Sequence, residues 1–168
     1  SATVLSAIGA KTSGAITVTN AIDITGTTAE VTAALVTADT LVVASTATVT
    51  ITDNPSISDL NAIAAKTSGV VTATLAADSL SNLGALTTAG TDVITITVND
   101  AAEADVTAAN LSTLGGKTAG TVTVSNAVDI TGSASELTAA LVTDSTKVVA
   151  STATANISDA AETDIAAT

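Results

Sequence analysis

Apolar and polar residues follow two patterns that alternate along the chain. In the run TVTVS at residues 121–125, valines alternate with hydroxyl residues, and a period of two is typical of a half-buried strand. Downstream, Leu137, Ala140 and Leu141 recur at spacings of three and four, which predicts a helix. Together with two further strand-like runs, LVVAS at Leu41 and KVVAS at Lys147, the first pattern predicts strand cores that start near Ile16, Val42, Val71, Ile94, Val122 and Val148.

The predicted strand cores recur at spacings of 26, 29, 23, 28 and 26 residues. This is the period range of solenoid coils. We therefore predict an α/β fold, a parallel strand–helix solenoid with coils of about 23–29 residues in which successive strands pair. A parallel β-helix with short or degenerate helices is the alternative. Residues 1–168 are expected to form a single solenoid domain of about six coils.

A long internal repeat supports this prediction. Residues 11–53 return as residues 117–159, a shift of 106 positions, and 28 of the 43 positions are identical. Four coils copied as one block account for this larger period. Because both ends of the chain fall inside the repeating pattern, we expect the chain to be a fragment of a longer repeat protein.

A shorter motif, L-[SN]-x-[IL]-x-x-K-T-[SA]-G, occurs at residues 5–14, 60–69 and 111–120, with a looser copy that starts at Leu80. We interpret it as a helix that leads into a strand. The closing glycines are predicted to end each helix in a left-handed conformation: Gly14, Gly69 and Gly120. The lysines are predicted in the last helical turn: Lys11, Lys66 and Lys117. The motif lacks the upstream glycine of a phosphate-binding loop.

Every glutamate of the chain stands three positions after a residue that can cap a helix. The pairs are Thr27/Glu30, Asp100/Glu103, Ser133/Glu136 and Asp159/Glu162, and Ser56/Asp59 is a weaker version. This spacing is the capping box, a helix-start signal. We therefore interpret these carboxylates as helix caps and assign none of them a catalytic role.

The composition excludes most catalytic chemistry. The chain has no His, no Cys and no aromatic residue, and its four basic residues are all lysines. Acid–base triads, thiol nucleophiles and zinc sites need the missing residue types, and carbohydrate sites usually offer aromatic platforms. We predict that the protein is not an enzyme, and we assign no catalytic, cofactor-binding or metal-ligating residues.

The charge also restricts the possible partners. The net charge of −12 disfavours nucleic acid, whose phosphates need a basic surface. No apolar run approaches the length of a membrane span, about 20 residues. We therefore expect neither nucleic-acid binding nor membrane insertion.

Aspartates at equivalent positions leave a calcium site possible as an alternative. Asp23 matches Asp129 in the repeat and Asp53 matches Asp159, while Asp100 and Asp105 share one acidic stretch. Carboxylate oxygens are the ligands that calcium prefers. Aspartate is also a common turn and cap residue, and we expect that role instead, with no cofactor.

The sequence of the repeats resembles that of a known class of proteins. The phrases DITGTTAEVTAAL (23–35) and ISDLNAIAAKTSGVVTAT (57–74) resemble repeats in very large secreted bacterial surface proteins, including RTX-type exoproteins and adhesins of cyanobacteria and proteobacteria. The resemblance implies a location outside the cell or on its surface. The nine-residue glycine–aspartate repeat that binds calcium in RTX proteins is absent.

These observations favour a structural role. We expect a repeat module of an extracellular surface layer, filament or giant adhesin that contacts other copies of itself or neighbouring repeats of the same protein. The alternative is a calcium-binding or an ice-binding solenoid module. Paired threonines on the strands would form the ice-binding face: Thr17/Thr19, Thr48/Thr50, Thr72/Thr74, Thr95/Thr97 and Thr121/Thr123.

Overall fold

Helices and strands alternate along the chain. The computed structural model describes residues 1–37 and 42–160. The helices are α1 (Ala2–Gly9), α2 (Thr28–Leu35), α3 (Ile57–Ala64), α4 (Leu80–Leu83), α5 (Ala108–Gly115) and α6 (Ala134–Leu141), with a 3₁₀ helix at Asp144–Thr146. The strands are β1 (Ile16–Thr17), β2 (Asp23–Gly26), β3 (Val42–Val43), β4 (Thr48–Ile51), β5 (Val71–Thr74), β6 (Val93–Val98), β7 (Asp105–Thr107), β8 (Val122–Val124), β9 (Asp129–Gly132), β10 (Val148–Val149) and β11 (Thr154–Ile157).

The helices are short and are held by their caps and their packing. Five of them begin after a hydroxyl residue whose side chain accepts a backbone N–H of the first turn: Thr27, Ser56, Ser79, Thr107 and Ser133. A helix of eight residues is unstable alone, so burial of leucine and isoleucine must stabilise it. Within the described residues, no helix has the length and hydropathy needed to cross a bilayer.

The strands follow the period of two that the sequence predicts. In β6, Ile94, Ile96 and Val98 are fully buried, while Val93 before them and Thr95 between the first two are exposed. All six predicted strand cores are confirmed, and each lies at the start of a strand or within one residue of it. The local alternation of apolar and hydroxyl residues was sufficient to locate four of them, and Val42 and Val148 lie in the short runs LVVAS and KVVAS.

The described strands form three parallel sheets. Their orders are β1-β3, β10-β8-β6-β5-β4-β2 and β11-β9-β7. Paired residues in these sheets lie 21 to 26 positions apart, from Thr72 opposite Val93 to Ile16 opposite Val42. The predicted α/β class with parallel pairing is confirmed at this level.

One pairing differs from the prediction. The strand cores were expected to pair in sequence order, but β5 pairs with β4, and the partner of β3 among the described strands is β1. The number of strands differs between the connections. Residues 10–27, between α1 and α2, hold two strands, whereas residues 65–79, between α3 and α4, hold β5 alone. A single strand can continue only one of the two ladders, and β5 continues the ladder of β4.

The core consists of small and branched residues that lie between the helices and the sheets. One cluster of buried apolar residues extends from Ala2 to Ala140. Its largest fully buried members include Leu60, Ile63 and Leu111. Burial of one such side chain stabilises the fold by about 1.5–3 kcal/mol, so the stability comes from many moderate contributions.

The closing glycines of the short motif have a different role from the predicted one. No glycine in the described residues has a positive φ, and the helices end earlier, with right-handed caps at Ala10, Ala65 and Gly116. The predicted left-handed helix ends were therefore wrong at Gly14, Gly69 and Gly120. The lysines were also misplaced, because each lies two residues beyond its helix: Lys11, Lys66 and Lys117.

These glycines instead permit close backbone contact. A Cβ at Gly69 would lie 2.3 Å from the carbonyl oxygen of Ala47, and a Cβ at Gly120 would lie 2.3 Å from that of Ile94. Among the described residues, a Cβ at Gly14 would meet only the Oγ1 of Thr12, at 3.6 Å. The same motif therefore forms a tight contact at two positions and makes none with the described residues at the third.

This difference yields a matched pair of substitutions. We expect Gly69→Ala to lower the free energy of unfolding by about 1–3 kcal/mol, because the backbone of residue 47 must move. Gly14→Ala should change it by no more than about 0.5 kcal/mol. Urea unfolding at low protein concentration, followed by far-UV circular dichroism because the chain has no aromatic residue, measures both. Equal effects would contradict this assignment.

Candidate functional site at the contacts between segments

The chain can be described as six successive segments, each a helix with the strands that follow it. They are segment 1 (2–26), segment 2 (28–51), segment 3 (57–74), segment 4 (80–107), segment 5 (108–132) and segment 6 (134–157). The ladders join each segment to the next, and helices of neighbouring segments also touch, as α1 touches α2 and α5 touches α6. The polar side chains with defined partners concentrate at these contacts.

Three aspartates bind the start of the helix of their own segment. Each carboxylate accepts the N–H of the first helical residue at 2.7 Å: Asp53 from Thr28, Asp100 from Leu80 and Asp159 from Ala134. The first N–H groups of a helix have no partner within the helix, and an anion there also interacts favourably with the helix dipole. Asp53 and Asp159 therefore hold the chain just after a segment beside the point where that segment began, whereas Asp100 does so within segment 4, before β7.

Two of the predicted capping boxes are confirmed in full. Glu30 accepts the N–H of Thr27 at 2.8 Å, and Glu136 accepts the N–H of Ser133 at 2.8 Å. In return, each cap hydroxyl accepts the N–H of its glutamate. The weaker pair is confirmed as a cap, with Ser56 accepting the N–H of residue 59 at 3.1 Å.

The predicted box at Asp100 and Glu103 is wrong. Glu103 lies in a turn with φ 62°, and its N–H donates to the carbonyl of Ala127 at 2.8 Å. Asp100 instead caps α4, at Leu80. For the fourth predicted pair, Asp159 acts as described above, and Glu162 lies outside the described residues.

Hydrogen bonds lower the pKa of three of these carboxyl groups. The N–H of Thr27, together with the hydroxyls of Thr3 and Thr27, lowers the pKa of Glu30. The hydroxyl and then the N–H of Thr28 lower the pKa of Asp53. The N–H and hydroxyl of Ser133 do the same to the pKa of Glu136. In each case the folded state favours the ionised form.

Two buried polar side chains extend the sheet ladders beyond the strands. The Oγ1 of Thr118 accepts the N–H of Ile94 and donates to its carbonyl, both at 2.8 Å. Asp92 accepts the N–H of Val71 through Oδ1 at 2.8 Å and that of Ala89 through Oδ2 at 2.9 Å. Both side chains therefore join one segment to the segment before it.

The other aspartates are not brought together around a common point. Asp23 accepts a hydrogen bond from the hydroxyl of Thr48. Asp105 and Asp129 lie opposite each other in β7 and β9. Asp100, in contrast, binds the N–H of Leu80 at the start of α4. Among residues 1–37 and 42–160, no group of three or more acidic side chains could hold a metal ion.

The described residues line three shallow depressions, of 180, 410 and 260 Å³. Each contains one or two charged side chains, and the third also contains Leu141 and three valines. Within the described part of the chain, every buried side-chain nitrogen or oxygen has a hydrogen-bond partner. No unsatisfied polar group therefore points to an absent ligand.

The threonine pairs form only short rows across the sheet. Thr50 lies between Thr25 and Thr72 in neighbouring strands. The next strand places the exposed Val93 beside Thr72, which ends that row. Val149 likewise ends the row of Thr97 and Thr123. An extended flat face of threonines is not present in the described strands.

The chain matches no protein-family model, no curated protein and no solved structure. The polar residues with defined partners form contacts within and between segments. We take these contacts as the candidate functional site.

Part of this site escaped the sequence analysis. The capping role of Asp53 and Asp159 toward helices that start 25 residues earlier was not predicted. A contact between residues so far apart leaves no local pattern in the sequence. Their equivalence in the internal repeat was the available signal. Asp92 and Thr118 carried no signal beyond their place near a strand start.

The lowered pKa of Glu136 predicts a pH-dependent stabilisation. Because the folded pKa lies below the unfolded value of about 4.3, the stabilisation is complete above that pH and is lost as the pH falls through the folded pKa. We expect Glu136→Gln to be less stable than the wild type at pH 7 and to equal it at about pH 2.

The comparison between wild type and variant cancels the repulsion among the other carboxylates, which both proteins share. Urea unfolding midpoints across the pH range measure the difference. Glu103→Gln is the matched control, since Glu103 stands in a turn and caps no helix. A difference for Glu136→Gln that stays constant down to pH 2 would exclude the capping explanation.

Proposed function

We propose that the chain is a structural repeat module, a strand–helix solenoid of six coils. It would serve as a scaffold or assembly element of an extracellular bacterial surface protein, such as a surface layer, a filament or a giant adhesin. The main support is the register of the ladders, in which the paired residues are always 21 to 26 positions apart. In a solenoid each repeat contacts the neighbouring repeats, so paired residues are separated by about one repeat length.

The aspartate contacts support the same architecture. Asp53, Asp100 and Asp159 reach helix starts that precede them by 25, 20 and 25 residues. At Asp53 and Asp159 one coil therefore closes beside its own beginning, and at Asp100 the chain passes the start of its coil before it forms β7. Each of these caps restricts the path of the chain, because the carboxylate must lie at the helix terminus.

The internal repeat supports a module that can be extended. α1 (Ala2–Gly9) and α5 (Ala108–Gly115) have the same bounds after the shift of 106 residues, as have α2 and α6, β2 and β9, and β4 and β11. The shift equals four segments. A longer protein can therefore contain further blocks of this length without a change of register.

The placement outside the cell is supported by the resemblance of the repeats to secreted bacterial surface proteins. The acidic surface fits that role, because a net charge of −12 keeps a highly repetitive chain soluble. A structural role is supported further by the engagement of the capping carboxylates, which bind backbone N–H groups of the protein itself.

A duplicated chain tests the proposal. We expect residues 1–116 followed by residues 11–168 to fold with the same ellipticity per residue as the wild type, because Lys11 then takes the place of Lys117 and four coils are added in register. Its urea midpoint should be higher, since added repeats add neighbour contacts. Far-UV circular dichroism during urea unfolding measures both quantities.

A second chain, residues 1–116 followed by residues 24–168, is the control. It removes about half a coil at the junction, so the later strands lose their register. We expect lower ellipticity per residue and a lower midpoint. If both duplicated chains behave alike, the solenoid proposal fails.

Calcium binding is the alternative that can be separated by experiment. A site of the extracellular kind, with Kd of about 10⁻⁴–10⁻³ M, would raise the free energy of unfolding by about 1–2 kcal/mol at about 5 mM calcium. We expect no such increase, because the aspartates with defined partners already accept hydrogen bonds. Urea unfolding in calcium and in chelator measures the difference, and an increase of this size would favour the calcium-binding module.

A further inference from the structure

We propose that two copies of this chain stack head to tail, with segment 1 of one copy covering segment 6 of the other as segment 3 covers segment 2 within the chain. The inference rests on the proposed structural function and specifies its partner. We call the surface formed by Ile8, Thr12, Gly14 and β1 the leading face. The surface formed by Ala153 and the free edge of β11 is the trailing face.

Over residues 5–19, which include β1, segment 1 is built like segment 3, and it carries β2 in addition. Residues 5–19 match residues 60–74 at 10 of 15 positions, and α1 (Ala2–Gly9) becomes α3 (Ile57–Ala64) after a shift of 55. The motif also has the same local geometry. The N–H of Gly14 donates to Thr12 Oγ1 at 3.1 Å, as that of Gly69 donates to Thr67 Oγ1 at 3.0 Å. The leading face is therefore already shaped like the surface that segment 3 uses.

Segment 6 is built like segment 2. Residues 117–159 repeat residues 11–53, and β11 pairs with β9 in the register in which β4 pairs with β2. The aspartate cap is the same as well, at Asp159 and Asp53. The trailing face is therefore the counterpart of the surface on which segment 3 lies.

Apolar side chains are uncovered on the leading face. Ile8 is 50% exposed, whereas Ile63, its counterpart in segment 3, is fully buried. Leu114 holds the same position in segment 5 and is only 1% exposed. Segments 1 and 5 are each followed by a closely similar segment, segments 2 and 6. The difference in exposure between Ile8 and Leu114 therefore arises on the opposite side, where segment 4 contacts segment 5.

The trailing face shows the same loss of cover. Ile157 is 57% exposed, whereas its counterpart Ile51 is 5% exposed. Val49 of β4 donates its N–H to Val70 of the following segment at 2.9 Å. Ala155 is the counterpart of Val49 in β11. The N–H groups of Thr154 and Ser158 donate toward β9, and directions alternate along a strand, so the N–H of Ala155 points away from β9. An edge with free N–H groups is a template for another strand.

The internal contact predicts the register between copies. Val49 lies opposite Val71 in the β4–β5 ladder, so Ala155 should lie opposite Ile16 of the other copy. Thr67 Oγ1 donates to the carbonyl of Ala47, and Thr12 should donate to that of Ala153 in the same way. Gly14 would then lie against the Ala153 carbonyl as closely as Gly69 lies against the Ala47 carbonyl.

Charge opposes this contact over longer distances. Each copy carries a net charge of −12, and this repulsion is screened within about 8 Å at 0.15 M salt. Association through apolar and backbone contacts should therefore strengthen as the salt concentration rises. A contact between opposite charges would weaken under the same change.

Sedimentation velocity of the full chain at several concentrations, in about 0.15 M and 0.5 M salt, tests the proposal. The monomer has a mass of 16.0 kDa, and we expect species of increasing mass as the concentration rises. Gly14→Ala should weaken association about tenfold or more, because its Cβ would clash with the facing carbonyl. Gly116→Ala, whose Cβ would make ordinary contacts at 3.5 Å or more, should associate like the wild type.

A second variant blocks the trailing face. Ala155→Pro removes the outward N–H, and proline is tolerated on an edge strand whose N–H faces solvent. At concentrations just sufficient to associate the wild type, each variant alone should stay mostly monomeric. Gly14→Ala retains an intact trailing face and Ala155→Pro an intact leading face, so an equimolar mixture should form dimers and nothing larger. Circular dichroism verifies that both variants fold.

The outcomes separate this inference from the proposed function. A wild type that is monomeric at every concentration and salt overturns the stacking, as does a mixture of the two folded variants that stays monomeric or association that Gly14→Ala leaves unchanged. The duplicated chain can still fold in register in each of these cases. Failure of the duplicated chain would instead overturn the solenoid, whatever the state of association.

Discussion

The structure depends on the direct contact of backbones between successive segments. At Gly69 and Gly120 the chain passes so close to the preceding carbonyl that no side chain fits. The parallel ladders keep this distance along the strands, and a core of alanine, valine, isoleucine and leucine allows it between helix and sheet. Larger side chains would bury more area each but would separate the segments. The absence of aromatic residues is consistent with this requirement.

The polar residues serve the same contact. Asp92 and Thr118 are buried and pair with backbone groups of the preceding segment, since an unpaired buried group would cost about 1–3 kcal/mol. Asp53 and Glu136 satisfy helix N–H groups at the surface. The acidic composition, which first raised the question of a metal, is explained in these cases by helix termini.

The sequence analysis succeeded where the cause is local. The strand at Val122 and the capping box at Ser133 and Glu136 follow from neighbouring residues, and both were predicted correctly. The pairing of β4 with β5 depends on the length of a distant connection and was missed. The residues around Gly14 and Gly69 are nearly the same, yet among the described residues only Gly69 lies against a neighbouring backbone. That contact depends on residues of another segment, about 20 positions away, which no local pattern records.

The equality between the 106-residue shift and four complete segments has a consequence for the length of the chain. An insertion or deletion of 106 residues between the two copies, which share 28 of 43 residues, would add or remove four whole segments. The segments on either side would keep their strand register and their helix caps. Length can therefore change in fixed steps without a new kind of contact.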